Sequence, residues 1–119
     1  ISLQGVAKAA ETFRNTDLSQ KLARHHRDAE KTFWGWHDIW NSAEFRDCNI
    51  APYVGSIHVP ILAIQGEQDE YGSAAQIQAI TNARRGSTDA HLLTNCGHTP
   101  HRDQSQATLA LMRSFIEAL

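Results

Sequence analysis

Apolar residues keep a helical spacing over the first third of this chain and then give way to short continuous runs. From Ile1 to Arg14, Leu3, Val6, Ala10 and Phe13 recur at intervals of three or four, which predicts a helix with Gly5 as its weak point. Asn15-Thr16-Asp17 interrupts the pattern. Asp17-Leu18-Ser19-Gln20 has the form of a capping box, and Leu18, Leu22, His25, Ala29, Phe33, Trp36 and Trp40 then predict one long helix. Lys21, Arg24, Arg27, Asp28, Glu30 and Lys31 take its other face. Ser42 is placed to cap a short turn through Phe45, and Asp47 to Ser56 reads as a loop or a single helical turn. Ile57 and Val59 lead on to Pro60.

After Pro60 the run Ile61 to Gln65 has the length of a strand buried on both faces, and a proline at its start costs no interior ladder bond. Gly66 ends the run, and an acidic loop follows with Glu67, Asp69 and Glu70. Ser73-Ala74-Ala75-Gln76 is a capping box that opens the next helix. Arg84 and Arg85 suit that helix's carboxyl end, with Gly86 as the stop. Ala90 to Thr94 is a second strand, which runs into Asn95-Cys96-Gly97-His98-Thr99-Pro100-His101. A last amphipathic helix spans Gln104 to Leu119, with Thr108, Leu111, Met112, Phe115, Ile116 and Leu119 on one face. Asp103-Gln104-Ser105-Gln106 offers it a third capping box. The expected fold class is therefore α/β: a helical segment over residues 1–57, then a β-α-β-α unit with two parallel strands over residues 58–119.

In such a unit a right-handed crossover brings both post-strand loops to the same edge of the sheet, where ligands gather in open α/β folds. Asp69 and His98 then stand as the orienting and proton-transferring members of a nucleophile–His–acid triad. The plainer role for Asp69 is that of a turn former. Glu67 is the reserve candidate for the acid.

The strand followed by Gly66-Glu67-Gln68-Asp69, and then Cys96-Gly97-His98-Thr99-Pro100, resembles the carboxyl-terminal end of an α/β-hydrolase. The resemblance extends over the whole chain, with residues 1–57 in the place of the lid. It implies a partial α/β-hydrolase fold, a small carboxylic ester, thioester or lactone as the parent enzyme's substrate, and no cofactor. It implies also that Asp69 is the acid and His98 the base. The lid position implies that Trp34 and Trp36 line a substrate pocket, whereas the helical stripe alone makes Trp36 and Trp40 core and leaves Trp34 open. The family's nucleophile elbow, Gly-x-Ser-x-Gly, is absent: none of Ser2, Ser19, Ser42, Ser56, Ser73, Ser87, Ser105 or Ser114 has the two glycines. By the family's order the nucleophile belongs upstream of Ile1, and a chain that begins with Ile1 fits a truncated product.

Composition narrows the alternatives. The 119 residues carry a formal charge of -2 and no basic block, so nothing electrostatic supports a nucleic-acid or membrane-surface role. No apolar run reaches the length of a membrane span. Two cysteines without metal spacing fit reduced thiols in a cytoplasmic setting. Cys96, His98 and His101 share one loop, but they supply at most three ligands in poor geometry, and no metal is expected. His25-His26 reads as a solvated or partly packed pair, and Cys96 as a small buried residue rather than a replacement nucleophile. Three functions fit: an inactive fragment of a serine hydrolase, one half of a nicked but active enzyme, or a non-catalytic module that self-associates. Two strands alone make a poor sheet, so a homo-oligomer or the missing amino-terminal half is the expected partner.

Overall fold

The computed structural model describes residues 3–83 and 88–119, so the expected helix stop at Arg84, Arg85 and Gly86 lies outside the described residues. The chain divides into two compact units, Ser2–Cys48 and Asn49–Leu119.

The amino-terminal unit is all helical. α1 (Leu3–Asn15) buries Gly5, Val6, Ala9, Ala10 and Phe13, the face that the helical spacing predicts, although Leu3 at its start is exposed. Thr16 closes α1 by donating its hydroxyl to the Thr12 carbonyl at 2.7 Å and accepts from the Leu18 amide. The expected long helix is two helices, α2 (Leu18–Ala23) and α3 (Ala29–Asn41). The break has a local cause. Asp28 is extended and its carboxylate accepts from the Lys31 amide at 2.9 Å, so it starts a new helix instead of continuing the old one. Asp17, by contrast, makes no side-chain cap and pairs with Lys21 at 2.9 Å.

Past the break at residues 24–28, Ala29, Phe33 and Trp40 stay on the inward side of α3 and Trp36 does not. Phe33 is buried, with Phe13 stacked on it at 4.0 Å between ring centroids, while Trp36 is exposed rather than core. Trp40 is half-buried against Phe45 at 4.8 Å. His25, expected on the stripe, is exposed in the turn. Ser42 accepts from the Phe45 amide and caps α4 (Ala43–Arg46), as its position suggests.

The carboxyl-terminal unit begins with one helical turn, α5 (Ala51–Val54), entered through Asn49, whose side chain accepts from the Ala51 amide. β1 (Ile61–Gly66) and β2 (Thr88–Leu93) pair in parallel, with Ile61 opposite Thr88 and Gly66 opposite Leu93. α6 (Ala74–Ala83) connects the strands in sequence and packs on both, with α5 against it. The two-stranded sheet explains one difference from expectation. β1 is half-buried along most of its length, not covered on both faces, because it lines an open cleft. A short α7 (Pro100–Asp103) precedes α8 (Ser105–Glu117), and both contact β1.

The third capping box does not form: α8 has no side-chain cap, and Asp103 turns back to accept from the Gly97 amide at 3.0 Å. On α8, Thr108, Leu111 and Phe115 face inward, and the Thr108 hydroxyl donates to the Pro100 carbonyl. Met112, Ile116 and Leu119, expected on the same face, are exposed together with Leu109. No helix among the described residues is long and apolar enough to cross a membrane.

Candidate functional site

The carboxyl ends of β1 and β2 are zipped together beyond the last ladder pair. Gly66 lies so close to the other strand's loop that a Cβ there would sit 2.1 Å from the Cys96 carbonyl oxygen and 2.3 Å from that of Gly97. The Glu67 amide donates to the Leu93 carbonyl and the Gln68 amide to the Cys96 carbonyl, both at 2.9 Å. In return the Cys96 amide donates to the Gln68 side-chain oxygen at 2.7 Å. Two residues past the end of β2, Asn95 has a φ of 51° and turns the chain back. Gln104 then donates to the carbonyls of Thr94 and Asn95 and ties the turn to the foot of α8.

This scaffold brings Asp69 and His98 together. The Asp69 Oδ1 lies 2.9 Å from the His98 Nδ1 across a separation of 29 residues. The same oxygen accepts from the Tyr71 amide at 2.9 Å and the Gly72 amide at 3.0 Å, and Gln65 approaches Oδ2 at 3.4 Å. A side chain at Gly72 would strike Gln76 and Gln65, so glycine leaves the carboxylate its room. Asp69 is therefore both a turn former and the partner of His98. Its side chain is 9% exposed while that of His98 is 56% exposed, which orders the pair from the interior outward. The Tyr71 ring meets His98 edge-on at 4.9 Å.

The electrostatics follow from these contacts. Burial alone would raise the Asp69 carboxyl, but the Tyr71 and Gly72 amides and His98 outweigh it and hold it below its ordinary value. A carboxylate can only accept, so Nδ1 must be the donor of the pair. Nε2 is then the ring nitrogen left for another partner. Burial raises the Tyr71 hydroxyl, helped by Glu70 and Asp69, so the phenol stays neutral. Burial likewise raises the Cys96 thiol, helped by Asp103 and Asp69. Cys96 is 1% exposed and its thiol faces the Gly97 carbonyl, which fits a packing role and not a thiolate nucleophile.

A cleft of about 430 Å³ is lined by all six residues of β1, by Gln76, Ile77 and Ile80 of α6, and by Asp69, His98 and Pro100. Comparison of the chain with protein-family models, curated proteins and solved structures returned no match. The geometry alone must carry the reading.

Of the other sequence candidates, Trp34 and Trp36 both belong to α3 in the amino-terminal unit. Trp34 is half-buried: its indole N–H donates to Glu30 at 2.8 Å, the Arg14 guanidinium sits 4.6 Å above its ring, and Phe33 meets it edge-on. Trp36 touches Phe33 at 5.6 Å and is the more exposed ring. Glu67, the reserve acid, is exposed and serves the zipper through its backbone. His101 is exposed on α7, and among the described residues no three His, Cys, Asp or Glu side chains converge as a metal ion requires. Sequence reasoning missed Gln65, Gln68, Tyr71, Asp103 and Gln104. Asp103 and Gln104 carry a signal, a capping motif beside the His loop, but that motif points to the helix and not to the loop they hold.

Proposed function

We propose that this chain supplies the acid and the base of a serine hydrolase of the α/β-hydrolase type, acting on small carboxylic esters, thioesters or lactones. The observation that carries the reading is the 2.9 Å contact between Asp69 Oδ1 and His98 Nδ1 beside an open cleft. In this reading the serine comes from a polypeptide segment outside these residues and approaches Nε2 of His98. His98 takes the hydroxyl proton as the serine attacks the ester carbonyl, then delivers it to the leaving group. Asp69 keeps the imidazole in the required tautomer and stabilises the imidazolium that forms. The oxyanion donors come with the serine segment, since one of them is the amide that follows the nucleophile.

The chain by itself lacks the nucleophile elbow and is expected to turn over no activated ester. The test is the coding sequence preceding Ile1. If it encodes Gly-x-Ser-x-Gly, the two segments expressed together should hydrolyse p-nitrophenyl esters and label with a fluorophosphonate, and His98→Ala or Asp69→Asn should abolish turnover. Absence of that motif, or turnover indifferent to His98→Ala, overturns the reading. A second reading, a non-catalytic self-associating module, is favoured by the exposed apolar line Leu109, Met112 and Ile116 on α8, with Leu119 just beyond its end.

A further inference from the structure

The His98 ring is placed by a loop, and a loop needs something to hold it. The regular ladder stops at Gly66 opposite Leu93, five residues short of His98. Between them a side-chain tie comes from Gln68, which lies 28 residues from its partner. Gln68 grips Cys96 twice: its backbone amide donates to the Cys96 carbonyl at 2.9 Å, and its side-chain oxygen accepts from the Cys96 amide at 2.7 Å. An amide N–H requires an oxygen acceptor, so chemistry fixes which way the Gln68 amide points. Gln68 is also next to Asp69 in sequence. One residue thus sets the spacing between the loop of the acid and the loop of the imidazole through bonds to the Cys96 backbone.

We propose that Gln68 is a positioning residue for His98: by clamping both backbone groups of Cys96 it holds the loop so that Nδ1 meets Asp69 and Nε2 stays open. The proposal rests on the reading of Asp69 and His98 as acid and base, but its test does not depend on turnover. Asp103 holds the neighbouring Gly97 amide from α7 at 3.0 Å, so the loop retains a second tie when Gln68 is changed. Loss of the side-chain bond should therefore loosen the docked imidazole and not release the loop outright. One net hydrogen bond corresponds to a roughly fivefold change in a docked-to-free ratio.

The experiment is ¹⁵N-resolved NMR of the histidine rings in the 119-residue chain at a pH of about 9, where free imidazole is uncharged. The wild-type His98 should show the Nδ1–H tautomer. Gln68→Leu, which keeps bulk and removes the acceptor, should move the His98 tautomer ratio roughly fivefold toward Nε2–H. Gln68→Glu, which keeps an acceptor oxygen at the same reach, should restore it to within about twofold. The rings of His25 and His58 should not respond in either variant. If Gln68→Leu stays folded and the His98 tautomer is unchanged, Gln68 is only a structural tie and the proposal is wrong. Should that variant unfold the carboxyl-terminal unit, the same measurement on Gln68→Asn, one methylene too short to reach, decides it. A chain that shows no serine partner but a Gln68-dependent tautomer would sink the hydrolase reading and leave the positioning role standing.

Discussion

Replacing Gly66 by alanine should open the candidate site without touching any of its side chains. The added Cβ would lie 2.1 Å from the Cys96 carbonyl oxygen, 2.3 Å from that of Gly97 and 2.5 Å from the Cys96 carbonyl carbon. All three are backbone atoms, so no side chain can swing away. To reach the 3.0 Å that real contacts respect, the loop must retreat by roughly 1 Å, an overpacking that costs about 1–3 kcal/mol. That retreat also stretches the 2.9 Å Gln68–Cys96 backbone bond and the 2.7 Å Cys96–Gln68 bond toward the limit of useful geometry. Each of the two weakened bonds adds about 0.5–1.5 kcal/mol, so the total expected is roughly 2–6 kcal/mol. Gly97→Ala is the control. Its Cβ would meet Asp103 Oδ2 at 3.2 Å and Glu70 Oε2 at 3.6 Å, both ends of side chains that can rotate, and a loss below about 1 kcal/mol is expected. Urea denaturation followed by backbone NMR signals of residues 61–98 measures both variants. A Gly66→Ala protein within about 0.5 kcal/mol of wild type would show that the close approach of the two strand ends is not a constraint.

Three further outcomes follow from particular contacts. Asp28→Ala removes the cap of α3 and should cost the amino-terminal unit about 1 kcal/mol, while Asp17→Ala, which loses only an exposed ion pair, should cost little; tryptophan fluorescence reads both, and equal effects would refute the cap assignment. Asp69 has a folded-state pKa below its ordinary 3.8, so it contributes stability that is present above 3.8 and lost as pH falls through the folded value. Asp69→Asn should flatten the pH dependence of the urea midpoint in that acid window, and an unchanged slope would contradict the contact network. Finally, if the chain self-associates through α8 as proposed, Met112→Lys with Ile116→Lys should leave a monomer by light scattering. Wild type already monomeric at micromolar concentration would dismiss that surface.

The order strand, acid loop, helix, strand, histidine loop, helix was legible because each piece has a local signal. Gly66 marks where β1 ends and Asn95 the turn that follows β2, and a mostly apolar run marks β1 itself. The Asp69–His98 juxtaposition followed from topology alone, since parallel strands put both post-strand loops at one edge. The helical half was harder. The three-four step from Leu18 to Trp40 survives the break at 24–28 by coincidence of spacing, and only Asp28 as a cap reveals the interruption. In α3, Phe33 is buried as the stripe predicts, whereas Trp36 is exposed and Trp34 is half-buried. The loop ties were illegible for a different reason. Gln68 and Asp103 act on amides 28 and 6 residues away, and no periodicity records a side chain that turns away from its own element.

Buried Cys96 also gives the His98 loop a chemical clock. The thiol sits beneath the loop with its sulfur against the Gly97 carbonyl, whereas Cys48 is exposed at the end of the other unit. An aqueous thiol reagent should therefore modify Cys48 at once and reach Cys96 only during excursions in which the loop lifts. When closing outpaces modification, the ratio of the two rates gives the free energy of that excursion, with the first cysteine as the internal standard. The fold thus carries, within one chain, both the fast reference and the slow reporter of how often its imidazole leaves its carboxylate.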